Sequence, residues 1–443
     1  MSDAKESPLE AVPEGATRAR EIRSRWGWVE PTVWTERMLT ALEQGVQGGR
    51  WYSLMDKVHP ERNLRAAFVK VAANDGAAGV DHVTVTMFEG RLEANLKALS
   101  DALRTGTYCP QAIRRHFIPK PGTKERRPLG IPTVRDRVAQ SALRHVLEPI
   151  FERDFAAHSY GFRPGKGCKD ALRRVDELLK AGYTHVVDAD LKGYFDTIPH
   201  DRLLALVGKK VSDGKVMALI GAFLKQGVLD DLAQWTPEEG TPQGAVISPL
   251  LSNIYLDPLD HLMAGMGIEM IRYADDFVLL CRSAGDAAHA LEVVQHWTAE
   301  AGLTLHPTKT RVIDAGLEPF DFLGYRFEDG TRRPRPKSLE KFKETIRAKT
   351  KRTSGESLST IIAALTPTLR GWFGYFQHSH KWTFSALDGW IRMRLRSILR
   401  KRMGLTGRGR GEDHHRWRNA FFADQGLYSL KEAHELARQP SLR

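Results

Sequence analysis

The sequence has little of what a secreted, membrane-bound or zinc-binding protein needs. Its three cysteines, Cys109, Cys168 and Cys281, lie far apart, which excludes a disulfide framework and a Cys-x-x-Cys zinc site. No apolar run approaches the roughly 20 residues of a membrane span. Residues 1–19 mix acids, Pro and Gly and lack the apolar core of a secretory signal. We therefore expect a cytoplasmic protein with no membrane partner.

Acidic residues are in deficit. The chain of 443 residues has 54 Asp and Glu against 66 Lys and Arg, a net charge of +12. An excess of this size indicates a polyanionic partner such as nucleic acid. The 42% hydrophobic content is enough to fill real cores and excludes wholesale disorder, and at roughly 150 residues per domain the length predicts two to four domains.

Hydrophobic periodicity predicts an α+β region followed by a helical one. Apolar residues recur every three or four positions, as in amphipathic helices, over 63–70, 88–103, 143–151, 172–179, 201–225 and 286–301. Strand patterns occupy a basic hairpin at 113–132, an apolar strand ending in acids within 184–195, and strands at 311–314 and 320–327. Beyond 337 only helical patterns remain, so we expect a separate helical domain with its boundary at 331–336.

Four acids end apolar strands. Asp188 and Asp190 close the strand within 184–195, and Asp275 and Asp276 form the predicted tip of a hairpin over 270–281. An Asp pair is common in turns, because Asp hydrogen-bonds its own backbone there. Carboxylates gathered at strand ends repel one another, however, and a divalent cation offsets that repulsion. Mg²⁺ prefers a few carboxylates completed by phosphates and water, and two such ions can drive an in-line phosphoryl displacement. The pattern favours nucleotidyl transfer.

Other phosphate and metal motifs are incomplete. The segment GFRPGKG at 161–167 is one residue short of a phosphate loop and ends in Gly167 where Ser or Thr is needed. The pairs His414-His415 and His378/His380 lack the spacing and partner ligands of a zinc site. These observations exclude a P-loop nucleotide-triphosphatase, a metalloprotease and a zinc finger.

From about residue 51 to residue 403 the chain resembles the bacterial group II intron reverse transcriptases, also called intron-encoded maturases. The resemblance is carried in order by IPKPGTKERRPLGIPTVRDRVAQ, SYGFRPGKGCKDAL, DADLKGYFDTIPH, TPQGAVISPLLSNIYLDPLD, RYADD, GLTLHPTKT, FDFLGY and LRGWFGYF. It implies a right-hand polymerase, with fingers and palm built from an antiparallel sheet and helices over 51–330 and an all-helical thumb, the maturase or X domain, over 338–403. An N-terminal extension, partly disordered, would occupy 1–50. The basic tail at 404–443 would be either DNA-binding, as in the family, or a flexible end.

The resemblance also assigns catalytic roles. Asp190 matches the first catalytic aspartate and Asp275 the second, with Asp276 completing the acidic cluster that would hold two Mg²⁺ ions. Asp188 would be a strand-end acid, or a residue that supports the metal ligands indirectly. Phe195 matches the aromatic residue that blocks a ribose 2′-hydroxyl, although a buried core Phe is the alternative.

Further residues match the substrate-binding parts of the family. Lys120 and Arg127 match fingers residues that grip the incoming triphosphate, and Gln243 and Gly244 match the block that shapes the nucleotide and template pocket. Lys309 matches the region of a general acid for pyrophosphate, or is a solvated lysine. The primer grip would be formed by Phe322, Leu323, Gly324 and Tyr325.

Basic residues of two blocks are candidate nucleic-acid contacts. Arg163 lies in the SYGFRPGKG block. Arg392, Arg396 and Arg400 are spaced by four residues on one helix, opposite an apolar face. Such a stripe commonly binds phosphate, and a solvated face is the alternative.

The implied function is an RNA-directed DNA polymerase that also binds its parent group II intron RNA to assist splicing and mobility, that is, retrohoming. Its partners would be an RNA template with a DNA primer, dNTPs and target DNA. With three cysteines and no Cys-rich His-Asn-His block, we expect no endonuclease domain, so the primer would come from elsewhere. The alternatives are a non-catalytic RNA-binding splicing cofactor and a domesticated or defence-associated reverse transcriptase.

Overall fold

The computed structural model describes residues 22, 24–119, 126–230, 233–407 and 411–438. Within these ranges no helix is long and apolar enough to cross a membrane. The helices are Glu36–Gln44 (α1), Met55–Val58 (α2), Glu61–Ala73 (α3), Val85–Glu89 (α4), Leu92–Thr105 (α5), Val134–Glu152 (α6), Cys168–Lys180 (α7), Tyr194–Thr197 (α8), His200–Gly208 (α9), Gly214–Leu224 (α10), Ser248–Gly265 (α11), Ala284–Glu300 (α12), Pro336–Lys349 (α13), Leu358–Phe376 (α14), Lys381–Arg402 (α15), Glu412–Arg416 (α16), Asn419–Asp424 (α17) and Leu430–Arg438 (α18).

The strands form three sheets in this part of the chain. They are Ile113–Pro119 (β1), Arg126–Ile131 (β2), His185–Asp190 (β3), Val228–Asp230 (β4), Ala233–Trp235 (β5), Glu269–Tyr273 (β6), Asp276–Cys281 (β7), Arg311–Asp314 (β8), Phe320–Phe322 (β9), Tyr325–Glu328 (β10) and Thr331–Pro334 (β11). The sheet orders are β2-β1-β4-β5, β6-β7-β3-β8 and β11-β10-β9. The α+β fold with a helical thumb is therefore confirmed.

The palm sheet, β6-β7-β3-β8, is antiparallel and covered on both faces. Side chains of a strand alternate between faces. Val187 and Phe277 accordingly pack in the large core with helices α11 and α12, whereas Val186 and Val278 pack with helix α7 on the other face. Burial on both faces explains why β7 is a continuous apolar run from Phe277 to Cys281 and does not alternate.

The fingers sheet contains the predicted basic hairpin. Strands β1 and β2 pair antiparallel from Arg114↔Ile131 to Pro119↔Arg126, and Ile113 and Arg114 of β1 continue into a parallel pair with β4. Helices α1 to α6 pack beside it in the large core.

The N-terminal extension predicted over 1–50 packs on the main body in its described residues from Trp26 onward. Trp26, Trp34 and Leu42 are buried in the same core as the fingers and palm, and the Trp34 indole Nε1 donates a hydrogen bond of 2.8 Å to the carbonyl oxygen of His145 on α6. The segment belongs to the main body because its large aromatic side chains are needed to fill that core.

The small sheet β11-β10-β9 replaces the single strand predicted over 320–327. Leu323 and Gly324 have positive φ values of 47° and 80°, and they form a two-residue turn closed by the pair Phe322↔Tyr325. The predicted domain boundary at 331–336 contains strand β11, and α13 begins immediately after it with Pro336 at its first turn. Proline suits that position because the first helical N–H groups have no partner within the helix.

The thumb extends beyond its predicted end at residue 403. Phe422 and Leu430 are fully buried in the core that α13, α14 and α15 form. The Asp388 carboxylate on α15 accepts hydrogen bonds from the backbone N–H groups of Leu430 (3.0 Å) and Lys431 (3.1 Å), which caps the start of α18. The described residues 411–438 are thus part of the packed thumb and not a flexible tail.

Candidate active site

The tip of the β6–β7 hairpin carries the acidic pair. Tyr273↔Asp276 is the last pair of the hairpin, which leaves Ala274 and Asp275 as the turn. Strand β3 lies on the other side of β7 and ends with Asp190 directly opposite Asp276. The structure therefore brings Asp190, Asp275 and Asp276 to one edge of the palm sheet. Their catalytic role stays a prediction.

Burial, together with neighbouring carboxylates, disfavours the ionised form of two acids at this edge, Asp276 and Asp188. Desolvation, reinforced by the charges of Asp188, Asp275 and Asp190, raises the pKa of Asp276 to about 7, although its residue is exposed at the rim of the site. Burial raises the pKa of Asp188 to about 6; Arg311, whose Nε lies 3.7 Å from Oδ2 of Asp188, lowers it, and Asp190 raises it. Such crowding is expected where a cation normally balances the charge.

The donor chemistry fits a hard divalent cation. Among the described residues no group of three or more His, Cys, Asp or Glu side chains is arranged so that it could hold a metal ion by itself. Mg²⁺ rarely needs one, because it is usually bound by one or two carboxylates completed by substrate phosphates and water. In this structure the Lys309 ammonium lies 2.6 Å from Oδ2 of Asp190 and supplies positive charge there. The backbone bonds Lys192 N–H to Thr304 O (2.8 Å) and His306 N–H to Asp190 O (2.7 Å) bring that segment to the site.

A cavity of about 200 Å³ lies between the fingers sheet and α8, and Phe195 and Gln243 both line it. The side-chain Nε2 of Gln243 donates to Oδ2 of Asp196 at 3.4 Å. The backbone carbonyl oxygen of Gln243 accepts from the backbone N–H of Gly130 on β2 at 2.6 Å. Phe195 is half-buried and packs against the periphery of the large core. Its position is therefore compatible with both interpretations, a residue that blocks the 2′-hydroxyl and a core residue.

Gly244 could not be replaced without moving the fingers hairpin. Its φ is +104°, and a Cβ there would lie 2.4 Å from the carbonyl oxygen of Gly130. Only glycine permits both this backbone conformation and this approach. The close contact seats the β1–β2 hairpin on the segment that contains Gln243.

The two cations predicted on the fingers hairpin are less completely described. Lys120 lies outside the described residues. Arg127 is a residue of β2 paired with Ile118, and its side chain also lies outside the described part of the chain. Their predicted contact with a triphosphate stays a prediction.

The predicted primer grip is the turn between β9 and β10. Phe322 and Tyr325 are buried beneath it. The Tyr375 hydroxyl on α14 donates to the carbonyl oxygen of Leu323 at 2.8 Å, and the Tyr325 hydroxyl donates to the carbonyl oxygen of Tyr375 at 2.6 Å. The turn at Leu323 and Gly324 is thus held by the thumb.

Arg163 is buried and its guanidinium binds other parts of the protein. The prediction that it binds nucleic acid is therefore wrong for this conformation. Arg163 is 8% exposed. Its guanidinium pairs with Glu152 at 2.7 Å and donates to the carbonyl oxygens of Ala156 (2.6 Å) and Ser159 (2.7 Å). A buried charge needs such partners, and they leave no donor facing solvent for a phosphate.

The predicted basic stripe on α15 is only partly exposed. Arg396 is 3% exposed and donates to the carbonyl oxygen of Trp417 (3.0 Å) and to Oδ1 of Asn419 (2.9 Å). Arg400 is half-buried and pairs with Asp413 at 2.7 Å. Helices α16 and α17 cover this side of α15. The three arginines therefore do not form a continuous stripe that faces solvent. Arg392 is half-buried, and its contact with nucleic acid stays a prediction.

A buried polar group behind the hairpin tip was not predicted from the sequence. Arg272 on β6 is fully buried. Its Nη2 lies 2.5 Å from Oδ2 of Asp260, a buried residue of α11. Asn253, also on α11, accepts a further bond from Arg272 at 2.9 Å. The available signal was an arginine inside an apolar strand, because a charged side chain is almost never buried unless it is paired.

Two family descriptions match the chain in succession. Residues 118–327 match "Reverse transcriptase (RNA-dependent DNA polymerase)", the region that contains the fingers hairpin and the acidic edge. Residues 339–417 match "Group II intron, maturase-specific domain", which corresponds to the thumb and continues past residue 403.

Curated relatives agree with these matches. Protein YkfC of Escherichia coli K12 is 33% identical over 341 residues, which cover 68% of this chain and 85% of that protein. The group II intron-encoded protein LtrA of Lactococcus lactis subsp. cremoris is 39% identical over 206 residues, 46% of this chain and 34% of LtrA. An uncharacterized 91 kDa protein in the cob intron of Schizosaccharomyces pombe is 32% identical over 258 residues, 45% of this chain and 32% of its own length. The chain thus spans most of one relative and about a third of the other two. The protein belongs to the family of group II intron-encoded reverse transcriptases and maturases, which serve intron splicing and mobility.

Proposed function

We propose that this protein is an active RNA-directed DNA polymerase that copies an RNA template from a DNA primer with dNTPs. The observation that carries the proposal is the strand register that sets Asp190 opposite Asp276 beside Asp275. The resemblance of the motifs DADLKGYFDTIPH and RYADD to those of the family supports a catalytic role for these acids. A polymerase fold kept only as a scaffold would have no need to gather three carboxylates at the cost of their mutual repulsion.

The side chains divide the work by position. Asp190, Asp275 and Asp276 would hold two Mg²⁺ ions, which supply charge stabilisation for in-line attack of the primer 3′-hydroxyl. Phe195, in the cavity with Gln243, would exclude a nucleotide that carries a 2′-hydroxyl. Lys309, already beside Asp190, would give its proton to the departing pyrophosphate.

The same protein would bind its parent intron RNA through backbone and shape contacts, because splicing of these introns is carried out by the RNA and the protein stabilises its fold. The net charge of +12 supports this role, and binding should weaken steeply as salt rises. Target DNA would be a further partner during mobility, and the proposed location is the cytoplasm.

The test is extension of a DNA primer on an RNA template in Mg²⁺, with dNTPs compared with NTPs. We expect dNTP-dependent extension that Asp275→Ala and Asp275→Asn abolish and that Glu292→Gln, an exposed residue of α12, leaves unchanged. Folded protein that binds intron RNA tightly and extends nothing would overturn the polymerase and favour the non-catalytic splicing cofactor.

A further inference from the structure

We infer that Arg272, together with Asn253 and Gly161, is a clamp that positions the catalytic turn at Ala274 and Asp275. None of the three residues is among the proposed metal or nucleotide ligands, so they act through the turn. The inference rests on the proposed function, because it explains how the chain fixes the place of Asp275. It is carried by the contacts of a fully buried guanidinium.

The Arg272 side chain binds both helix α11 and the backbone of the turn that follows β6. Its Nε and Nη2 donate to the Asp260 carboxylate at 2.8 Å and 2.5 Å, while Nη1 donates to Oδ1 of Asn253 and to the carbonyl oxygen of Ala274, each at 2.9 Å. The planar fork of arginine reaches all three partners at once, and a lysine ammonium could not. One side chain thereby ties helix α11 to the backbone of the turn.

The backbone of Arg272 is held as firmly as its side chain. Its N–H donates to the carbonyl oxygen of His158 at 3.0 Å, and its carbonyl oxygen accepts from the N–H of Tyr160 at 2.8 Å. Residues 158–160 therefore run along β6 as an added edge. Arg163, through its bond to the Ser159 carbonyl, braces that edge in turn.

The third residue of the clamp, Gly161, contacts the turn through its backbone. A Cβ at Gly161 would lie 2.1 Å from the amide nitrogen of Ala274, so the two backbones touch and no larger residue fits. The Asn253 amide Nδ2 donates to the Gly161 carbonyl at 2.8 Å. Asn253 thus bonds both residues that contact Ala274: its Oδ1 accepts from Arg272, and its Nδ2 donates to Gly161.

The turn needs such support because it is strained. Ala274 has a φ of +60°, which costs a non-glycine residue about 1 kcal/mol or more and persists only where the surroundings over-determine it. Asp275 is the next residue, so its backbone position follows from that of Ala274. A looser clamp should leave the fold intact while the carboxylate loses its fixed place.

The test compares Arg272→Lys and Asn253→Ala with Ser252→Ala. Arg272→Lys keeps a cation beside Asp260 but loses the fork, and Asn253→Ala leaves the Arg272–Asp260 ion pair whole. Ser252 is the buried neighbour of Asn253 on α11, and its hydroxyl has no hydrogen-bond partner among the described residues. Ser252→Ala therefore controls for a change at a buried position of the same helix.

We expect Asn253→Ala and Arg272→Lys to lower kcat by about 10²-fold, as a misplacement of about 1 Å does. The Mg²⁺ concentration for half-maximal rate should rise several-fold, and KM for dNTP should stay within about twofold. In the metal-free protein, hydrogen–deuterium exchange of peptides covering 270–281 should accelerate, while peptides of α14 and α15 keep their protection. Ser252→Ala should match the wild type in every measurement.

Unchanged exchange over 270–281 in both variants, or a loss of activity matched by equal loss of protection throughout the chain, would overturn the clamp. Should Arg272→Lys fail to fold, Asn253→Ala decides alone. Because the exchange measurement needs neither metal nor turnover, it also separates the two ideas. Wild-type protein that extends no primer would refute the proposed function, while faster exchange at the turn in the variants would still establish the clamp.

Discussion

Lys309 and Asp190 form a direct ion pair in the acidic site, with Nζ 2.6 Å from Oδ2. The two side chains come from segments 119 residues apart in the chain, and both remain open to solvent. An exposed pair of this kind contributes about 0–1 kcal/mol to stability. We therefore expect the pair to matter for the proposed catalysis more than for folding.

Replacing Lys309 by Met should slow single-nucleotide incorporation by about 10²-fold, because the departing pyrophosphate loses its proton donor. The free energy of unfolding in urea should change by less than about 1 kcal/mol. Lys97→Met, on the exposed face of α5, is the matched control. Equal incorporation rates for the two variants would show that Lys309 is only a solvated partner of Asp190.

Phe195→Ala should open the cavity that Phe195 lines with Gln243 to ribonucleotides. We expect the ratio of kcat/KM for dCTP over CTP to fall about 10-fold or more, since the ring no longer meets the 2′-hydroxyl. Phe195→Tyr keeps the ring and should keep the discrimination. A ratio that is unchanged in Phe195→Ala, with the protein destabilised, would identify Phe195 as a core residue instead.

The acidic edge predicts how metal-free protein responds to pH. The pKa values of Asp276, about 7, and of Asp188, about 6, lie above those of an unfolded chain. Between about pH 4 and pH 7 the folded state thus binds more protons than the unfolded state, and stability falls as pH rises through this window. Asp276→Asn should raise Tm at pH 8 by roughly 1–3 °C and flatten this dependence.

The measurement is a series of thermal melts in EDTA from pH 4.5 to pH 8, repeated with Mg²⁺. Mg²⁺ should stabilise the wild type most at high pH, where the carboxylates are ionised, and should have little effect on Asp276→Asn. Stability of the wild type that rises with pH across the whole range would contradict the crowding of these acids.

Arg163 and Arg392 should respond in opposite ways to the same substitution. Arg163→Met removes a buried guanidinium and leaves the half-buried Glu152 without its partner, so the free energy of unfolding should fall by about 3 kcal/mol, while RNA affinity of the folded fraction keeps its salt dependence. Arg392→Met should change stability by less than about 0.5 kcal/mol and reduce the slope of log K against log salt by about one. Urea melts and filter binding across KCl concentrations distinguish the two.

Local patterns predicted the parts of the fold that local physics decides. The hairpin over 270–281 follows from two apolar runs around an acidic pair, and helices α6 and α7 follow from apolar residues at helical spacing. The turn at Leu323 and Gly324 was missed because a leucine with positive φ carries no strong sequence signal, and Gly324 is the single glycine of the segment 320–327.

The sequence could not show which polar face is later covered by another part of the chain. Arg396 has the helical spacing of a surface cation, and only the return of Trp417 and Asn419, about 20 residues later, buries it. Likewise, Arg272 looked like one more basic residue until Asp260 and Asn253 met it from α11. Such pairings are tertiary, and periodicity within one element does not contain them.

The hydrogen bond from Tyr375 to Leu323 joins the thumb to the turn that is predicted to be the primer grip. Helix α14 carries Tyr375, whose hydroxyl grips the carbonyl of the turn, and Tyr325 returns a bond to the same helix. If bound intron RNA displaced α14, we would expect these two bonds to pass the displacement on to the turn at Leu323 and Gly324. By thermodynamic reciprocity, a seated primer would bias the thumb toward one RNA-bound position by the same free energy. Splicing partner and DNA synthesis would then communicate through two tyrosines.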